Sequence, residues 1–378
     1  MTAALRGLTW DHPRGYVVLD ALAAGADEEL PSVRWDRQPL EGFESRPLRT
    51  LKDAYDLLVV DHPGLGEAVS DGALRPLDDV LTAAELAACA DVSEGRSYDS
   101  YHLAGKQWAL PLDAAAQVSV CRPDLFPERP GTWPDAGQAA RSHRTAVCLG
   151  GPHALLMFSA ICATLGTPTA RSPAAGPYAD PAAGTEAVSI MADLLAHSDA
   201  TLAGRNPIGI LDAMADEGGP AYCPLVYGYI TYQRSRRGSR PLAAFDAPAG
   251  GGRIGSVLGG TGVAVTRSCA DLTAARALLL RLVSKDVQVS LYAKLGGQSG
   301  DRRAWADPAA DAGSGGFYSA TRATIEAAWV RPRFPGYVEF QAAASAVLRE
   351  GLLRGERHAT LVDEVNQLFV TDRRLLRQ

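Results

Sequence analysis

A chain of 378 residues, nearly half of them apolar, is long enough for two domains with separate cores, which excludes a disordered or fibrous protein. The net charge of −6 gathers in no block, and the Arg-rich piece Arg234 to Arg240 is short and flanked by apolar sequence, so the expectation is no nucleic-acid partner. The longest strongly apolar run, Ala154 to Leu165, is too short for a membrane crossing and reads as a core helix, with no membrane insertion expected.

In chain order, the opening MTAALRGLTW has one Arg, no sustained apolar stretch and no cleavage site. As written, the chain is expected to be cytoplasmic; export is the alternative if the native start lies further upstream. Leu5 to Tyr16, LRGLTWDHPRGY, is a short apolar run ending in Asp-His-Pro, and Asp56 to Gly66, DLLVVDHPGLG, repeats that design. Runs of this length bounded by Pro and Gly predict buried strands. Between them, Val17 to Ala26 has helical spacing stopping at Gly25, Ser32 to Gln38 alternates as a strand does, and a helix is expected near Leu48 to Tyr55. The order is a repeated βαβ signature and predicts a parallel, doubly wound sheet.

Further on, Gly66 to Val80 predicts a helix closed at Gly72, then a turn and a Pro-Leu-Asp-Asp start to the next helical piece, and Tyr101 to Cys121 a turn at Ala104-Gly105 followed by two strand-like runs around Pro111 and Asp113. Thr132 is a candidate N-cap for a helix led by Pro134. Val147 to Gly150 is expected as a short strand, His153 to Gly166 as a helix, Ser172 to Gly184 as a loop, and Thr185 to His197 and Asn206 to Glu217 as helices. Ala221 to Tyr232 is aromatic and β-branched, which predicts a strand. A glycine-rich turn over Pro248 to Arg253 precedes a strand from Gly255 to Thr266, then one long helix from Ala274 to Leu295 and a loop from Gly296 to Trp305. Asp307 to Gly316 reads as small and flexible, and helices over Tyr337 to Gly351 and His358 to Phe369 finish the chain. The six cysteines are dispersed among apolar residues with no CxxC, so they read as reduced, buried small hydrophobes rather than disulfides or a zinc site.

The order of LTWDHPRG, DLLVVDHPGLGEAVSDGALRPLDDV, WALPLDAAAQVSVCRPDLF, PGTWPDAGQAA, YCPLVYGYITY and GGTGVAVTRSCADLTAARALLLRLVSKDVQVSLYAKLGGQSGDRRAW resembles family 1 extracellular solute-binding proteins, the maltose-binding-like component of ABC importers. The chain departs from that family in showing no export signal. The resemblance implies an α/β, periplasmic-binding-protein-like fold of type II: two doubly wound lobes joined by crossing strands near Leu110 to Ala116 and Gly255 to Gly260. Lobe 1 would be residues 1–110 plus 256–305, and lobe 2 residues 111–255 plus 306–378. It further implies a monomer that captures a small polar or anionic organic ligand, carbohydrate-like by family, in an interlobe cleft by hinge closure. The expected partner is an ABC transporter permease if the chain is exported, and no cofactor or metal is expected.

If the two Asp-His-Pro strands are parallel neighbours, Asp11, His12, Asp61 and His62 share the carboxyl edge of the sheet, where open α/β sheets bind ligands. Carboxylates accept ligand hydroxyls and His near neutrality donates or accepts; the same carboxylates could instead cap the helices that follow. Trp10 could stack on a sugar ring or fill the lobe core. Asp113 and Gln117 lie on the first presumed crossing, facing the cleft or solvent. Tyr227 and Tyr229 share a strand face that lines the cleft or is buried. Gly260 and Thr261 mark either a close backbone approach to ligand or a bulge. Gln298 and Arg302 follow the long helix, where a guanidinium could clamp an anion or be solvated. An alternative function is a cytoplasmic enzyme in which His12 or His62, oriented by its carboxylate, is general acid or base.

Overall fold

The computed structural model describes residues 4–25, 31–234 and 238–371, with the side chains of Glu41, Glu44 and Ser45 outside that description. The chain divides into two compact units: Met1–Ala114, Gly259–Tyr318 and Arg333–Pro335 form the first, and Ala115–Leu258, Ser319–Pro332 and Gly336–Gln378 the second. Each is α/β. Residues 306–318 and 333–335 therefore cluster with the first unit, whereas the division expected from the sequence gave 306–378 to the second.

In the first unit, strand β1 (Leu5–Trp10) is flanked by β2 (Val33–Gln38) and β3 (Leu57–Val60), and both pairings are parallel. The register sets Leu8 opposite Leu58, so the segments after β1 and β3 emerge at one edge of the sheet. Val60, Val59, Leu58 and Leu57 pair antiparallel with Gly262, Val263, Ala264 and Val265 of the strand Leu258–Thr266. The four residues of β3, a central strand parallel to β1 on one side and antiparallel to Leu258–Thr266 on the other, are all buried. Tyr101 packs on this sheet among Leu8, Leu58, Val60, Leu65 and Leu74, and its hydroxyl donates to the Val60 carbonyl. Gly262 is what lets the ring lie there: a Cβ would sit 2.7 Å from it.

In the second unit, the buried strand Ala109–Cys121, which begins in the first unit, pairs antiparallel with Tyr222–Tyr227 and Ala243–Phe245. Pro224 has no N–H to give, and the register shifts between Val118 and Val120 while the Ser119 hydroxyl donates to the Pro224 carbonyl at 2.9 Å. The apolar helix His153–Thr164 is buried on almost every side and packs against the helices Pro181–Ala196 and Tyr337–Arg354.

Several expectations need correction. Leu48 to Tyr55 contains only a 3-10 turn, Leu48–Thr50, and the helix lies earlier at Leu40–Ser45, because Pro39 and Pro47 each start a new segment. The helix expected to close at Gly72 is Leu65–Ser70, with left-handed Gly72 just past its end, and the Pro-Leu-Asp-Asp start after it is a 3-10 turn at Leu77–Asp79. The runs around Pro111 and Asp113 are one strand. Val147 to Gly150 is no strand: its backbone is held singly, as by Leu149 N–H to Ala203, with no ladder. The helix Pro181–Ala196 starts inside the expected loop, since Asp180 caps it and Pro181 opens it. The Ala274 to Leu295 helix is Leu272–Leu282, then a π-turn and Tyr292–Leu295; Gln288 turns inward there and donates to the Leu282 carbonyl. Short helices Arg302–Trp305 and Pro308–Gly313 replace the loop and flexible stretch, each capped by the Asp before it. A helix at Phe317–Ala327 was not anticipated.

Cys121, Cys148, Cys162, Cys223 and Cys269 are buried and Cys89 partly so. Burial pushes the Cys89, Cys121 and Cys269 thiols up to about 11 and those of Cys162 and Cys223 up to about 12. These five stay protonated at pH 8, so Ellman's reagent is expected to react slowly with the native protein and to titrate all six cysteines once it is unfolded. Rapid native reaction at more than one thiol would contradict the burial.

Candidate functional site

Trp10 closes β1, opposite Gln38, and His12 follows in an extended conformation. Pro13 then opens α1 (Pro13–Ala24), and the His12 Nδ1 accepts the Arg14 N–H at 3.1 Å. The imidazole is thus the helix N-cap, in the role the sequence left open for Asp11. It stacks on the Trp10 indole with ring centroids 5.1 Å apart and planes 9° from parallel, and Phe43 stacks on the same indole. Gly15 makes this stacking possible, because a Cβ there would run into the indole. The outcome is a buried Trp10 and His12, with only Asp11 outside: its side chain is 62% exposed and 3.8 Å from Arg37.

Beneath the stack lies a contact the sequence did not reveal. Arg14 donates from Nε to Asp113 Oδ2 at 2.6 Å and from Nη2 to Oδ1 at 3.1 Å, with both side chains all but fully buried. Its guanidinium also lies 5.7 Å from the centre of the Trp10 ring. Asp113 is accordingly neither solvated nor on an open face. Behind it, Tyr292 is enclosed, and its phenol is pushed well up, first by burial and then by the charge of Asp113. The segment 297–301 is sewn to the Asp113 strand: Ser299 bridges Asp113, Gln298 Nε2 donates to the Ala114 carbonyl at 2.8 Å, and Trp305 Nε1 donates to the Ser299 carbonyl. Gln298 therefore acts as a strut. Arg302 points away from this arrangement, exposed and 3.5 Å from Asp91.

At the end of β3, the Asp61 side chain accepts the His62 N–H at 2.9 Å and lies 3.3 Å from His62 Nδ1. The His62 ring is fully enclosed, edge-on to Tyr101 at 6.2 Å. The two Asp-His pairs thus leave neighbouring parallel strands at one edge, as expected, but in opposite senses: Asp11 outward with His12 in the wall, and His62 inward with Asp61 partly exposed. Gly260 has a φ of +102°, so glycine is required by the backbone there, and Thr261 beside it is buried.

In the second unit, Gln117 is buried opposite Tyr227, and its carbonyl accepts the Ser256 hydroxyl at 2.7 Å. Tyr227, half-buried, donates to the Leu258 carbonyl and meets His153 edge-on at 5.8 Å. Tyr229 does not share its strand face, because the strand stops at Tyr227 and Tyr229 lies in the turn before Ile230–Tyr232, against Tyr232. Sequence reasoning missed Arg14, Phe43, Tyr101 and His153. One signal was available: a lone Asp inside ALPLDAAAQV implies a buried cationic partner. Among the described residues no group of three or more His, Cys, Asp or Glu could hold a metal, and no helix is long and apolar enough to cross a membrane.

One substitution separates the two roles of His12. His12→Ala should cost about 1 kcal/mol through the lost cap, while His12→Asn, whose amide oxygen can cap, should recover most of it. Urea unfolding measures this. If both variants lose equal stability, the cap contributes nothing.

No family model matches the sequence, and no curated protein is significantly similar to it. Solved structures are similar in fold. A solute-binding protein of an Agrobacterium radiobacter ABC transporter, in complex with ribitol, is 19% identical with a TM-score of 0.80, covering 97% of this chain and 98% of that one. Maltose-bound MalE3 of T. maritima is 17% identical with a TM-score of 0.79, over 97% and 98% of the two chains. The GacH receptor of Streptomyces glaucescens, solved unliganded and with acarbose, is 17% identical with a TM-score of 0.76, over 98% and 99%. Across nearly its whole length, then, this chain has the α/β fold of the maltose-binding-like solute-binding proteins.

Proposed function

We propose that this chain is a solute-binding protein that captures a small polar organic ligand, carbohydrate-like in class, by hinge closure and without chemistry. The observation that carries the reading is the fold, shared end to end with proteins solved holding ribitol, D-mannitol, alpha-D-tagatose and maltose. The edge at β1 and β3 supports it. There an exposed carboxylate at Asp11 and a partly exposed one at Asp61, on an edge braced by the buried stack of Trp10 and His12, offer acceptors for hydroxyls. Arg14 is already matched by Asp113, which favours a neutral polyol or sugar over an anion among the ligands foreseen. Tyr227 is the aromatic candidate of the second unit. An ABC permease is the partner this reading implies for an exported form.

The enzymatic alternative has weaker support. His12 Nδ1 is committed to the Arg14 N–H, and the His62 ring is fully enclosed beside Tyr101.

Native mass spectrometry of gently purified protein, followed by thermal melts with mannitol, ribitol, tagatose, maltose and maltotriose, tests the reading. A bound ligand at a hundred times its Kd should stabilise the protein by about 2.7 kcal/mol. A purified protein that carries nothing and melts identically with every member of the panel would remove the basis for a carbohydrate-like ligand.

A further inference from the structure

One edge of the first unit's sheet is open. Among the described residues β2 pairs with β1 alone, so its other side carries no strand. The Leu5 N–H donates to the Ser32 carbonyl at 2.9 Å and the Asp11 N–H to the Gln38 carbonyl at 2.7 Å, which turns the even-numbered carbonyls of β2 toward β1. By the alternation of a strand, the N–H and C=O groups of Val33, Trp35 and Arg37 face away from β1, where a further strand can take them up.

Charge ordinarily guards such an edge, and β2 is charged: Val33–Gln38 reads VRWDRQ. The order of the charges matters more than their number. Arg34 and Asp36 lie symmetrically about Trp35, so an antiparallel copy of the same strand, centred on Trp35, sets Arg34 against the partner's Asp36 and Asp36 against the partner's Arg34. Opposite charges then meet twice, whereas a parallel copy in register would set like against like. The side chains suit this arrangement. Arg34 is 79% exposed and, among the described residues, hydrogen-bonds only its own Asp36, at 3.1 and 3.2 Å, so it can reach a second carboxylate. On the other face, Trp35 is half-buried and lies across Gly7, where a Cβ would run into the indole.

We propose that this protein forms a symmetric dimer through β2, with the two copies pairing antiparallel about Trp35. Trp35 exchanges backbone hydrogen bonds with the partner's Trp35, and Val33 with the partner's Arg37, giving about six bonds across the two-fold axis. The two indoles meet side by side at that axis. Arg34 faces the partner's Asp36 at the intervening positions, where opposed side chains lie closest. A single short strand makes a small interface, so the dimer is weak and concentration-dependent. It departs from the monomer that the family resemblance implies, and it holds whether or not the chain binds a carbohydrate.

Sedimentation velocity of the full chain from about 2 to 200 µM tests the dimer. The dimer fraction should rise with concentration, and amide hydrogen exchange at Val33, Trp35 and Arg37 should slow in step with it. Arg34→Asp and Asp36→Arg each set like charges face to face twice, so each variant should self-associate about tenfold more weakly. Mixed together, the two variants should recover the lost association, because every facing pair is then opposite in sign. Val33→Pro removes an N–H that β1 does not use, and it should abolish the dimer while leaving the ladder to β1 in place. Circular dichroism shows which variants fold; if Val33→Pro does not, the charge variants and their mixture decide alone. The mass of one chain at every concentration, undiminished association in both charge variants, or no recovery on mixing overturns the proposal. An edge reserved for a strand of some other protein would give the first of these.

Discussion

Asp113→Ala should destabilise the first unit by about 3–5 kcal/mol, the usual cost of stripping one partner from a buried ion pair. Asp113 and Arg14 are 3% and 4% exposed as side chains, so no solvent is at hand to replace the missing carboxylate around the guanidinium. Asp113→Asn keeps one acceptor oxygen and should fall in between. The double variant Arg14→Met, Asp113→Leu should regain most of the loss, because the charge and its partner leave together. Urea unfolding followed by circular dichroism measures all three. Under the proposed function the single variants also lose ligand, since Arg14 braces the indole of Trp10, and with it the stacked imidazole of His12. A destabilisation by Asp113→Ala below 1 kcal/mol would mean that the pair is not buried in solution.

Gly66→Ala should have a comparable effect for a different reason. The helix Leu65–Ser70 runs so close to residues 333 and 334 that a Cβ on Gly66 would lie inside the Arg333 carbonyl oxygen and 2.7 Å from its carbon. Backbone cannot step aside as a flexible side chain can, so the overpacking cost should reach about 3 kcal/mol. Gly64→Ala is the control: its backbone is already right-handed helical and nothing lies within 4 Å of the added carbon. Alanine there should be neutral or slightly stabilising. Thermal melts of the two variants side by side decide it, and equal melting temperatures would contradict the packing described for residues 333–335.

The same two sites show what the sequence could and could not disclose. That β1 and β3 are strands of a parallel sheet was legible in the repeated βαβ order, whereas their adjacency was a supposition that the pairing of Leu8 with Leu58 bears out. Which member of each pair turns inward was not legible. It depends on Arg14 reaching Asp113, 99 residues away, and on Gly15 making room for an indole. The Tyr227 and Tyr229 alternation failed where the strand ended two residues early, at a point that period-two spacing cannot mark. The long helix after residue 271 failed in a similar way: apolar spacing continues through its break, and only the inward hydrogen bonds of Gln288 explain it. Tertiary partners decided each of these, and local pattern carried no record of them.

The central claim is that one small polar molecule is held and released unchanged. Isothermal titration calorimetry with the polyol or sugar that most raises the melting temperature, followed by mass analysis of the recovered solute, tests it most directly. The account predicts one saturable site per chain, a clear loss of affinity in Asp11→Ala and Tyr227→Ala proteins that still fold, and solute recovered intact. Turnover of the solute, or full affinity in both variants, would contradict it.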